Sequence, residues 1–178
     1  VSDSIDHLSE LGYNEFYSPL KLLEDYDVNN HDHLISRSYM QTQITGIKKA
    51  HEAYFNEEKT FMRSLDVMIT TKCSMKCESC SNLMQYYTNP ENSDYKKIIH
   101  EVNIITSHVD DISEFRVIGG EPLMNKEWAN ITNGILKDDP KRKIYIYTNG
   151  TVGPKDDQLG LLQGKGVNFV ITDYGRFS

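Results

Sequence analysis

Four short runs of apolar and β-branched residues divide the second part of the chain: Leu65 to Thr70, Glu114 to Ile118, Lys143 to Tyr147 and Val167 to Ile171. Each is five or six residues long, which predicts strands. Between them the apolar positions fall at helical spacing. Ile98, Ile99, Val102, Ile105 and Val109 share one face of a helix from Asp94, with Asn92 or Ser93 as its cap. Trp128, Ile131 and Ile135 form the buried side of a second helix, with Asn125 as its cap. A third runs from about Asp156 to Leu162 and is closed by Gly164 or Gly166. Tyr145 and Tyr147 alternate with Ile144 and Ile146, as in a strand with two unlike faces. Alternating strand and helix predicts an α/β fold with a parallel sheet and right-handed crossovers.

Residues 1–60 read differently. They are polar and helical, with Ser18-Pro19 opening a short helix. Apolar positions at Ile35, Tyr39, Met40, Ile44, Ile47, Ala50 and Tyr54 run through one long helix or two. We expect a helical N-terminal extension over 1–60 and the strand–helix domain over 61–178. From the start at Val1 we expect a piece of a longer protein.

Composition narrows the function. The 178 residues are 38% hydrophobic and 25% charged, with a net charge of −7. No basic stripe is present, so a nucleic-acid partner is not expected. No apolar run is long enough to span a membrane, and no leader pattern is visible. Lys141-Arg-Lys143 reads as a solvated turn before a strand. Three cysteines make no disulfide framework, and a reducing cytoplasm suits them.

All three cysteines fall in Cys73-Ser-Met-Lys-Cys77-Glu-Ser-Cys80, immediately after the first strand. Three readings are open. The spacing fits a buried helix face, although the intervening Ser74, Lys76, Glu78 and Ser79 are polar. It fits a zinc site completed by His100 or His108. It also fits an iron–sulfur cubane, in which three thiolates leave one iron open to a small molecule. Gly119-Gly120-Glu121-Pro122 follows the second strand. Glycines there let backbone approach a ligand, Pro122 stiffens the turn, and Glu121 offers a carboxylate to an ammonium group. Thr148-Asn-Gly150 and Thr172-Asp-Tyr-Gly175 follow the third and fourth strands. All four loops thus gather at the C-terminal edge of the sheet, where parallel α/β folds place ligands.

A CxxxCxxC loop after one strand and a GGEP after the next resembles the radical S-adenosylmethionine (radical SAM) superfamily, over about Leu65 to Gly175. The resemblance implies a partial (β/α) TIM-type barrel and a 4Fe–4S cluster on Cys73, Cys77 and Cys80. The open iron would chelate the amino and carboxylate groups of SAM, with Glu121 helping to hold the amine and Gly119, Gly120 and Pro122 shaping the turn. Thr148, Asn149, Thr172 and Asp173 match positions that line the SAM pocket. It further implies an oxygen-sensitive enzyme supplied by an external one-electron donor of flavodoxin or ferredoxin type, acting on an unknown substrate. Two departures stand out. Ser79 occupies a position often aromatic in the family, leaving adenine to backbone or to a side chain such as Met84 or Tyr86. Only four of the usual six strand–helix units are visible. The alternative from another class is a non-catalytic zinc- or iron–sulfur-binding module.

Overall fold

The computed structural model describes residues 44–56 and 58–172. The chain divides into two compact units, Val1–Glu58 and Lys59–Ser178. In the first, the described segment 44–56 is helical (α1). Ile47 and Tyr54, expected on its apolar face, are 68% and 62% exposed. The expected helices before residue 44 lie outside the described residues.

The second unit is built on four strands: β1 (Phe61–Met68), β2 (Asp111–Ile118), β3 (Ile144–Thr148) and β4 (Val167–Ile171). They form one sheet in the order β1-β2-β3-β4, and all three pairings are parallel. Helices α2 (Tyr95–Thr106), α3 (Trp128–Ile135) and α4 (Asp156–Leu162) make the crossovers. Strand order that follows chain order without reversal belongs to a barrel segment; a doubly wound sheet reverses at a switch point. The fold is therefore an α/β partial barrel.

The core lies on one face of this sheet. Val67, Ile69, Phe115, Val117, Ile144 and Ile146 pack against Ile98, Val102, Trp128, Ile131, Ile135 and Leu162. Each fully buried side chain of this kind contributes about 1.5–3 kcal/mol. The Trp128 ring meets Phe169 of β4 edge-on at 5.8 Å between centroids. Helices α2 and α3 approach closely because Gly134 has no side chain: a Cβ there would lie 2.7 Å from Ile99 Cδ1.

Three details differ from the sequence reading. Strands β1 and β2 begin earlier than their apolar runs, because parallel pairing from Phe61↔Asp111 onward recruits polar residues into the ladder. The cap of α2 is Asp94, whose side chain accepts the Lys97 N–H at 3.0 Å. Arg142 is not simply solvated. It donates to the Ile135 carbonyl at the end of α3, and its guanidinium lies 5.2 Å from the Phe115 ring centroid.

Candidate active site

The cysteine segment is a loop closed at its neck. Beyond β1, Thr70 bridges to Asn92, the Thr71 N–H donates to the Glu91 carbonyl at 2.9 Å, and Ser93 N–H to Ile69 at 2.9 Å. Asn125 fastens the same neck from the far side, donating through Nδ2 to the Ile69 carbonyl at 2.8 Å and to Ser93 at 3.3 Å. Its Oδ1 accepts the Glu127 N–H at 3.0 Å, so Asn125 also steadies the entry to α3, one turn before the helix proper.

The two glycines of the β2 loop serve a purpose the sequence did not disclose. A Cβ on Gly119 would lie 2.5 Å from the Thr70 carbonyl oxygen, and one on Gly120 would lie 2.3 Å from that of Lys72. Real side chains do not fit at such distances. Here the backbone that approaches is that of the cysteine loop. The contact is sealed by Gly120 N–H to Thr70 at 3.1 Å and Glu121 N–H to Lys72 at 2.8 Å. The ladder of β1 and β2 thereby continues to the residue before Cys73.

Glu121 stands elsewhere than expected. Its side chain is 0% exposed and does not line the cleft. Oε1 accepts from the Leu123 N–H at 3.1 Å and the Thr148 hydroxyl at 2.8 Å, and Oε2 accepts the Asn149 N–H at 2.8 Å. Three of its roughly four acceptor positions are thus taken by the protein. In this geometry the carboxylate ties the tip of β2 to the tip of β3. Pro122 begins the short 3-10 turn Pro122–Met124, where its missing N–H costs nothing, and it is buried away from the cleft.

Above these supports lies a cleft of about 340 Å³. Cys73, Cys77, Cys80, Gly119, Gly120, Thr148, Asn149 and Thr172 all face it. Asp173 lies outside the described residues. Asn149 joins the two sides: its Nδ2 donates to Ser74 Oγ at 3.2 Å and lies 3.7 Å from Cys73 Sγ. Ser74 and Thr151 are hydrogen-bonded to each other across the same gap. The β4 tip is held by Thr172 N–H to the Thr148 carbonyl at 3.0 Å.

The thiols are free and half-buried. Among the described residues, no three His, Cys, Asp or Glu side chains converge as they would around a single ion. Tetrahedral zinc draws its sulfurs within about 2.3 Å of one centre, whereas a cubane places each thiolate on a different iron. All three cysteines line one cleft, as a cluster shared among them requires. His100 and His108, the candidate fourth zinc ligands, do not line the cleft, and His108 Nδ1, just past α2, is engaged at 2.8 Å with the Ile104 carbonyl in that helix's last turn.

Sequence reasoning missed part of the wall. Asp66, Arg116 and Tyr147, from strand interiors, face the cleft. Of the two side chains expected near adenine, Met84 lines the cleft beside Gln85, while Tyr86 is 73% exposed and stands apart from it. Gln85 Oε1 is a buried acceptor with no partner among the described residues, an anomaly that a bound group can satisfy. The alternation of Tyr147 with Ile146 was the available signal for the inner face; nothing in the sequence singled out Asp66. For Arg116, burial works against its charge. The hydrogen bond and charge of Glu114 outweigh that, with Tyr147 and Asp66 adding, and raise its pKa.

A 91-residue stretch is 33% identical to a probable GTP 3′,8-cyclase of Methanocaldococcus jannaschii, covering 50% of this chain and 29% of that protein. A probable GTP 3′,8-cyclase of Methanococcus maripaludis is 30% identical over 93 residues, again 50% of this chain and 29% of the relative. Molybdenum cofactor biosynthesis protein moc-5 of Caenorhabditis elegans is 26% identical over 100 residues, 55% of this chain and 16% of the relative. The match thus spans less than a third of each relative's length. The family description "Radical SAM superfamily" matches residues 67–173, the segment that carries every loop of the cleft. The chain belongs to the radical SAM superfamily, whose members use a 4Fe–4S cluster and SAM.

Proposed function

We propose that the protein is an oxygen-sensitive radical SAM enzyme in which Cys73, Cys77 and Cys80 hold the cluster. One electron through that cluster would cleave bound SAM into methionine and a 5′-deoxyadenosyl radical, which takes hydrogen from a substrate. The observation that carries the reading is the sharing of one cleft by three free thiols and the tips of β2, β3 and β4.

The chain's own residues would divide the work. Gly119 and Gly120 bring β2 against the cysteine loop and present backbone to the cleft. Asn149 lies against Cys73 and orients the loop. Thr148 and Thr172 line the pocket at the tips of β3 and β4, and Asp173, which follows Thr172, belongs to the same proposed set. Glu121 acts from behind, as the support of Thr148 and Asn149, and Pro122 sets the turn that aims it. Met84, only 7% exposed, offers the adenine ring an apolar surface in place of the aromatic residue that Ser79 replaces.

The reductant would be a flavodoxin- or ferredoxin-type donor in the cytoplasm; among the described residues no helix is long and apolar enough to cross a membrane. Similarity to proteins named as GTP 3′,8-cyclases supports radical chemistry in the shared segment. The substrate is set by residues beyond that segment as well as by the cleft. The test is turnover. Anaerobically reconstituted full-length protein, given SAM and dithionite, should release 5′-deoxyadenosine and methionine in equal amounts. Stoichiometric zinc with no 5′-deoxyadenosine would instead identify a binding module.

A further inference from the structure

The face of the sheet turned away from the helices carries a charged row where a filled barrel carries Val, Ile and Leu. Asp66 on β1 lies opposite Arg116 on β2, which lies opposite Tyr145 on β3. One step nearer the rim the facing pair is Met68 and Ile118. Glu114 holds Arg116 in place, with its Oε1 accepting from Nε at 2.8 Å and from Nη2. The remaining end of the guanidinium, Nη1, stands 3.9 Å from Asp66 Oδ1, too far for a hydrogen bond. Asp66 keeps 52% of its side chain exposed. Both residues line the cleft that holds the three cysteines.

A carboxylate only accepts hydrogen bonds and a guanidinium only donates them. The gap between Asp66 and Arg116 therefore suits a single atom that does both. A hydroxyl oxygen meets the requirement, donating to Asp66 and accepting from Arg116. An ammonium has no lone pair for Arg116. A phosphate or carboxylate would meet two carboxylates, Asp66 and Glu114, against one cation. We propose that Asp66 and Arg116 form a hydroxyl-binding site on the floor of the cleft, which takes the alcohol or polyol portion of the substrate. Its role as a substrate site rests on the function proposed above. Binding there would hold the neighbouring C–H bonds beside Met68, Ile118 and Tyr147, below the cysteines.

Three probes of equal carbon length and different charge test this: 1,3-propanediol, 1,3-diaminopropane and malonate. Saturation-transfer NMR would follow their binding to the reconstituted, SAM-loaded full-length protein. The diol should saturate at a concentration at least fivefold below either charged probe. Asp66→Ala and Arg116→Met should each weaken diol binding about fivefold or more. Arg116 is partly buried and its loss can unfold the chain, in which case Asp66→Ala, at a half-exposed position, decides. A charged probe saturating at or below the diol concentration, or an Asp66→Ala protein that binds the diol like the parent, overturns the assignment. The effect of SAM on the reduced cluster's electron paramagnetic resonance, read on the same sample, reports the radical SAM function separately.

Discussion

From Cys73 to Ser79, among the described residues, the backbone forms a single turn at Glu78–Ser79 and is otherwise held through the Ser74 and Cys73 side chains and the Glu78 carbonyl. From Gly119 to Asn125 the opposite is true. Gly120, Glu121, Met124 and Asn125 all donate backbone N–H groups, and the Glu121 and Asn125 side chains are buried and multiply bonded. The two loops sit side by side on one rim and divide its tasks. In the proposed function the cysteine loop, lightly held by its own backbone, closes its sulfurs around a multi-iron group. The glycine–glutamate loop fixes where that closure takes place, because its glycines admit no other spacing.

The sharpest break of this comparison comes from the adaptable side. Cys77→Ser removes one thiolate and should leave iron content and 5′-deoxyadenosine formation at background. The melting curve of the cluster-free chain should stay close to that of the parent. Gly120→Ala attacks the same function from the rigid side. Its added Cβ meets the Lys72 carbonyl at 2.3 Å and the Cys73 Cβ at 2.7 Å. With every thiol present, it should still lose most of its cluster on reconstitution, measured as iron per chain. It should also destabilise the fold by about 1–3 kcal/mol, the usual scale of overpacking.

Glu121→Ala comes next. It strands the Leu123 N–H, the Asn149 N–H and the Thr148 hydroxyl at about 1–3 kcal/mol for each group left unpaired. Urea unfolding should show a loss of several kcal/mol, with partial loss of cluster as a consequence. An unchanged midpoint would mean that the carboxylate does not brace the rim.

These three positions also show what the sequence disclosed and what it hid. The strands, the helices α3 and α4 and the gathering of polar loops at one rim were legible, because they rest on local periodicity and on turn chemistry. Trp128, Ile131 and Ile135 are buried as their spacing requires. The purpose of Gly119 and Gly120 was not legible, since the backbone they accommodate lies some fifty residues earlier in the chain. Glu121 misled for a related reason: a carboxylate in a polar loop reads as exposed, and two of the three donors that satisfy it come from the distant tip of β3. Asp66 and Arg116 were hidden within strands read chiefly for their apolar partners.

Smaller effects lie away from the rim. Gly160 is in α4 with nothing within 4 Å of its added Cβ. Gly160→Ala should therefore stabilise the chain by about 0.5–1 kcal/mol, in contrast to Gly120→Ala. At the opposite end of the sheet, Asp110 accepts from the backbone N–H of Thr60 at 2.8 Å and from its hydroxyl at 2.9 Å. These bonds lower its pKa below the usual 3.8. A depressed carboxylate stabilises the fold fully above its unfolded pKa and loses that contribution as pH falls through the folded value. Asp110→Asn should flatten the stability profile of the cluster-free chain only below about pH 4, with cluster loading unaffected.

The central claim is that three thiolates on an adaptable loop hold a cubane whose fourth iron is open to SAM. Mössbauer spectroscopy of protein reconstituted with 57Fe tests it most directly. Addition of SAM should shift the signal of one iron in four and leave the other three unchanged. A spectrum that does not respond to SAM, or one in which all irons respond alike, would contradict the account.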